Sequence, residues 1–118
     1  MKKTYTIETT TNSFHALEYN VETKQVDDIQ VNLTYDNEEY NSSTYKMFDS
    51  KEEAIFAFKL LCSFVTYDNI EITLLEADIV PEEDMETIKN DKILQKFKLM
   101  NDETSNEDIN NILNKMEF

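Results

Sequence analysis

Residues 54–65 hold only two polar side chains, Lys59 and Ser63, in twelve positions. At the helical period they sort into two apolar stripes. One is Ala54, Ala57, Phe58, Leu61 and Val65, and the other is Phe56, Leu60 and Phe64. A helix that is apolar nearly all round must be covered on two sides, which constrains the chain more than any other feature. Its start is marked by Asp49 and Ser50, because Ser50 and Glu53 have the S-x-x-E spacing that satisfies free amides of a first turn. The first stripe is expected to lie on a sheet. The second needs the C-terminal segment or a second copy, so Phe56, Leu60 and Phe64 are also the candidate surface for a homodimer.

The sheet is supplied by segments with the period of two. Tyr5, Ile7 and Thr9 alternate with Thr4, Thr6, Glu8 and Thr10, and Leu17, Tyr19 and Val21 alternate with Glu18, Asn20 and Glu22. Ile29, Val31, Leu33 and Tyr35 alternate with Asp28, Gln30, Asn32 and Thr34. These three segments predict an antiparallel meander, with turns at Asn12-Ser13 and at residues 36–39, where Asn37 can take the left-handed conformation. A fourth strand is expected over residues 43–48. After a turn at Tyr67-Asp68-Asn69, Ile70, Ile72 and Leu74 form another strand, which either ends at Leu74-Leu75 or continues through a bulge that turns Leu75, Ala77 and Ile79 inward. Pro81 with Glu82, Glu83 and Asp84 has the pattern of a helix first turn. Residues 91–100 fit a helix through Ile93, Leu94 and Phe97, although Ile93, Gln95, Phe97 and Leu99 also alternate as a strand would. Thr104 and Glu107 make a second capping box before Ile109, Ile112, Leu113 and Met116, a helix expected to dock on the second stripe. The chain of 118 residues therefore reads as a single α+β domain over 1–118: an antiparallel β-meander packed on one central apolar helix, with a further strand and short C-terminal helices.

Composition removes several chemistries. The chain contains no glycine and no arginine. Phosphate-cradling loops are built on glycine, and bidentate clamping of phosphate or guanine needs the guanidinium fork, so nucleotide and direct nucleic-acid binding are not expected. Cys62 and His15 are the only cysteine and histidine, too few for a structural zinc site, and one cysteine forms no internal disulfide. Cys62 sits in the apolar helix and reads as an inert core thiol. His15 lacks a nucleophile and an orienting carboxylate at a recognisable spacing, so no catalytic residue is assigned. Asp36-Asn37-Glu38-Glu39 lacks the ligand pattern of an EF-hand loop, and neither metal nor cofactor is expected. No run is long enough to span a membrane, and the segment after Lys2 and Lys3 is not a signal peptide, so a cytoplasmic protein is expected.

What remains is charge. Twenty-five carboxylates face 11 lysines, for a net charge of −14. Eight of the carboxylates, Asp68, Glu71, Glu76, Asp78, Glu82, Glu83, Asp84 and Glu86, lie between Lys59 and Lys89 with no lysine among them. Asp27, Asp28, Asp36, Glu38 and Glu39 lie likewise between Lys24 and Lys46. If the two windows meet in the fold, many charges fall within a screening length of about 8 Å and their fields add. A solvated acidic surface also keeps a protein soluble with no partner at all; the uneven distribution is what points to one. Tyr40 and Tyr67, beside the windows, have the rigid area and hydroxyl favoured at interfaces. The candidate partner-binding residues are Asp36, Glu38, Glu39, Tyr40, Tyr67, Asp68, Glu71, Glu76, Asp78, Glu82, Glu83, Asp84 and Glu86.

In size, charge and the clusters Asp36/Glu38/Glu39 and Glu82/Glu83/Asp84/Glu86, the chain resembles the small acidic inhibitors encoded by phages and mobile elements, among them anti-CRISPR and other DNA-mimic anti-defence proteins. That resemblance implies a non-catalytic protein, acting in the cytoplasm of a host bacterium, that occludes the basic nucleic-acid-binding surface of a nuclease or CRISPR effector. An immunity protein or antitoxin directed at a basic toxin would use the same electrostatics. A non-catalytic, self-associating structural protein would instead use Phe56, Leu60 and Phe64.

Overall fold

The computed structural model describes residues 2–11, 15–30, 40–43, 48–65, 70–98 and 106–118. In chain order these form β1 (Lys2–Thr11), β2 (His15–Asn20), β3 (Gln25–Gln30), β4 (Tyr40–Ser43), α1 (Lys51–Ser63), β5 (Ile70–Glu82), β6 (Met85–Lys98) and α2 (Asn106–Asn114). The architecture is α+β, with antiparallel sheets packed on one apolar helix and a short helix near the end of the chain.

α1 begins where the spacing predicts. Ser50 is its N-cap, and the Ser50 hydroxyl accepts the Glu53 backbone N–H at 3.2 Å. The first stripe is the core: Ala54, Ala57, Phe58, Leu61 and Val65 are buried together with Ile7, Ile70, Ile72 and Leu74 of the sheet. The second stripe is covered only in part. Leu60 is half-buried beside Leu113 of α2, whereas Phe56 and Phe64 remain 53% and 51% exposed. On α2, Ile109 and Leu113 turn inward while Ile112 stays 44% exposed, so the expected four-residue face is narrower than its spacing implies. The residues after α2 tie two elements together. Phe118 meets the Phe58 ring edge-on at 5.9 Å, Lys59 Nζ lies 5.5 Å above the Phe118 ring, and Gln95 of β6 donates to the Glu117 carbonyl at 3.2 Å.

Strand order differs from a three-strand meander. The main sheet runs β4-β1-β5-β6, and β2 pairs with β3 as a separate hairpin. Alternation specifies which face of a strand is apolar and says nothing of which strand lies beside it. β1 and β5 match along ten pairs, from Lys2 opposite Ile79 to Thr11 opposite Ile70, with Ile7 beside Leu74 and Thr9 beside Ile72. Of the expected third strand, residues 28–30 fall in β3, which begins earlier at Gln25, and residues 31–35 lie outside the described residues. The expected fourth strand is displaced: β4 covers residues 40–43, and Phe48 makes an isolated bridge to Tyr5. The turns at 12–13, 36–39 and 67–69 and the Thr104 cap lie outside the described residues.

Two expected helices are strands. Pro81, Glu82, Glu83 and Asp84 do not open a helix; Pro81 pairs with Glu86 and Glu82 with Met85 around a tight turn at Glu83 and Asp84. A strand tolerates proline where the missing N–H faces no neighbour. Beyond Ile79, β1 no longer flanks β5. Residues 91–98 likewise continue β6, with Phe97 buried opposite Ile72, because a long partner strand stabilises the extended alternative that the local pattern also allowed. The strand does not end at Leu74-Leu75, but the expected inward turn of Leu75, Ala77 and Ile79 is not what carries it on. The register with β6 shifts there because β6 holds an extra residue, Leu94, while β5 runs unbroken against β1. Leu75 and Ile79 stay half-buried, and a second register shift follows between Glu76 and Asp78. In a chain without glycine, Lys24, Glu83 and Asn90 supply the positive φ values among the described residues, 58°, 51° and 60°.

The unequal stripes yield a stability contrast. Phe58→Ala opens a cavity in the core and is expected to cost about 3–5 kcal/mol, whereas Phe56→Ala, half in solvent, should cost about 1 kcal/mol or less. Urea denaturation of both variants measures the difference; equal losses would contradict the assignment of the two faces.

Candidate functional site

β5 and β6 form the longest hairpin of the molecule and carry most of the described carboxylates of the acidic window. The lysine-free window does not stay uncompensated in three dimensions. Register sets Glu71 opposite Lys98, Glu76 opposite Lys92 and Asp78 opposite Lys89, and β1 brings Lys3 opposite Asp78 from the other side. Lys96 Nζ lies 3.2 Å from Glu71, Lys3 Nζ lies 3.9 Å from Glu76 and 2.5 Å from Asp78, and Lys89 pairs with Glu82. Four of the expected partner-binding carboxylates, Glu71, Glu76, Asp78 and Glu82, are thus engaged within the protein. The sequence hid this because Lys3 and Asp78 are 75 residues apart.

Asp78 is the most enclosed of the four, with the residue 7% exposed. Its carboxylate accepts from Lys3 Nζ and, at 3.0 Å, from Asn90 Nδ2. Those hydrogen bonds hold its pKa below the ordinary Asp value, and the same bond to Asp78 holds the Lys3 ammonium above its ordinary value. Tyr5, alongside, is raised by burial and by the Glu76 carboxylate.

Within the described part of this window, the carboxylates left without a lysine are those at the hairpin turn. Among the described residues no ion pair involves Glu83, Asp84 or Glu86. All three are exposed, and Met85 between them is 73% exposed. Glu82, Glu83, Asp84, Met85 and Thr87 border a shallow concavity there, with the Thr87 hydroxyl donating to Glu82 Oε2 at 3.3 Å. At about 3.4 Å per strand residue, Glu83, Asp84 and Glu86 lie within roughly one screening length of each other. Their fields therefore add. Met85 and, farther along β6, Ile88 at 42% exposure add apolar contact.

The other expected residues are not brought to this tip by any described segment. Asp36, Glu38, Glu39, Tyr67 and Asp68 lie outside the described residues, and Tyr40 is placed on β4 opposite Thr11. Met85 was the residue missed in the sequence; a large apolar side chain inside an acidic run was the signal. A second surface lies between α1 and α2, where Phe56, Lys59, Leu60, Ser63, Asn110, Leu113 and Asn114 line a half-open apolar groove. Cys62 is fully buried, and burial pushes its thiol well above the ordinary range, away from the reactive thiolate. Among the described residues no group of three His, Cys, Asp or Glu side chains converges on a metal position, and no helix is long and apolar enough to cross a membrane. Comparison with protein-family models, with curated proteins and with solved structures finds no match to this chain.

The Asp78 cluster has a defined pH signature. Because the folded pKa lies below the unfolded value of about 3.9, its stabilisation is complete above that value and is lost as the pH falls through the folded one. The stability difference between the wild type and Asp78→Asn is expected to have its full value at pH 7 and to shrink below about pH 4. Urea unfolding at several pH values reads it, and a difference that stays constant down to pH 2 would contradict the pairing.

Proposed function

We propose that this chain acts by binding rather than catalysis, docking its carboxylate-tipped hairpin on a Lys/Arg-rich surface of another protein and occluding it. The nucleic-acid-binding surface of a nuclease or CRISPR effector is the surface that fits, since a groove shaped for a polyanion attracts a protein of net charge −14. The observation that carries this reading is the hairpin tip, where Glu83, Asp84 and Glu86 stand exposed with no counter-charge among the described residues, around the exposed Met85. Overall charge steers the approach, and the tip gives it an address.

Magnitudes define the role of the tip. Exposed ion pairs contribute about 0.2–1 kcal/mol each, and burial of Met85 adds about 1.5–3 kcal/mol. A micromolar complex needs about 8 kcal/mol, so the tip selects and orients while neighbouring surface supplies the remainder. The groove beside α1 contributes less to this function. Half-exposed Phe56 and Phe64 offer about 100 Å² each, far short of the roughly 800 Å² per partner of a standard interface, so self-association through Phe56, Leu60 and Phe64 is the weaker reading. Neutralisation of a basic toxin rests on the same tip and differs only in the target.

Nuclease protection tests the proposal. The protein is titrated against purified nucleases, CRISPR effectors and basic toxins from cells that carry its gene, and cleavage or toxicity is read with and without excess substrate. Stoichiometric inhibition, relieved by salt and by competing nucleic acid, is expected. The Glu83→Lys, Asp84→Lys and Glu86→Lys triple variant should lose at least about 100-fold in affinity, the loss of a few kcal/mol. Inhibition unchanged in the triple variant, or no binding to any basic target at low salt, would overturn the reading.

A further inference from the structure

The hairpin changes character at one level along its length. As far as Ile79, β5 is flanked by both β1 and β6; from Val80 onward, among the described residues, β6 alone pairs with it. The outer part is thus a two-stranded ribbon reaching about 10 Å past the last β1 pair, and isolated ribbons are marginal in water. At that boundary the register shifts between Glu76 and Asp78. There Asn90 adopts φ 60°, a conformation that costs an ordinary residue about 1–2 kcal/mol, less for Asn. Bulges bend strands and increase their twist, so the backbone here sets the direction of the ribbon.

One side chain gathers every part of this boundary. Asp78 accepts from Lys3, on the flanking strand that ends there, and from Asn90, the left-handed residue of the bulge itself. Three strands are joined through one nearly buried carboxylate. Removing either donor leaves it with an unmet acceptor in a poorly solvated place.

We infer that Lys3, Asp78 and Asn90 form a lock at the root of the β5–β6 ribbon that fixes the direction in which Glu83, Asp84 and Glu86 are presented. This rests on the docking reading for its use, though not for its existence. A ribbon held in one direction need not be ordered at the moment of binding, so the lock raises affinity by removing that cost. Asp78 and Asn90 are positioning residues that need not touch the partner.

Amide hydrogen exchange separates the lock from general stability. Lys3→Met and Asn90→Gly, the latter keeping the positive φ while deleting the amide donor, are compared with wild type. Exchange over residues 80–88 is expected to rise about 10-fold or more in both, with α1 protection unchanged within twofold. Ribbon exchange unchanged in both variants, or rising only in step with α1, would overturn the inference. Retention of the same variants on an oligolysine column then reads docking alone: weaker retention supports the lock's use in binding, and full retention by a loosened ribbon leaves the lock standing and counts against the docking tip.

Discussion

The antiparallel register of β1 against β5 is the constraint on which the rest depends. It sets Ile7 beside Leu74 and Thr9 beside Ile72, giving α1 an apolar floor on which to bury Phe58 and Leu61. The same register carries Lys3 to Asp78 at the far end of the strand. A slip of one residue would turn every β1 side chain to the opposite face. It would remove the floor of the core and the counter-charge of the hairpin root together, so folding and charge distribution are one problem in this chain.

Charge compensation then decides where an acidic protein can act. Lysines of β1 and β6 occupy the carboxylates along the middle of β5, leaving a short stretch at the turn uncompensated. The hairpin is therefore compensated along its length and anionic at its turn. Lysines on β6 serve a second purpose, since β6 is an edge strand of the main sheet and edge lysines discourage unwanted strand addition. The exposed carboxylates at the tip and the lysine-bearing edge behind it divide one hairpin into an anionic end and a charge-compensated shaft.

Much of the local structure is legible in the sequence. α1 can be read from Ser50, Glu53 and the apolar run that follows, because capping and helical period are properties of neighbouring residues. The change of alternation at Leu74/Leu75 marks where the register with β6 shifts, although the extra residue, Leu94, lies on β6. Pro81 with its acidic followers misleads because the same residues suit a helix first turn and an exposed hairpin tip, and only the extended partner β6 decides between them. The carboxylates of β5 mislead for a similar reason: their lysines come from strands far away in the chain. Distance along the sequence carries no information about which charges meet, whereas it carries much about which turns and caps form.

Chemical-shift mapping with an oligolysine peptide tests most directly whether the clustered carboxylates of the hairpin turn form the preferred site for a polycation. With backbone resonances assigned, the account predicts that the largest perturbations at low salt fall on residues 82–88 and fade as salt is added. Perturbations spread evenly over the surface, or concentrated on β3 or α2 with the turn silent, would contradict it.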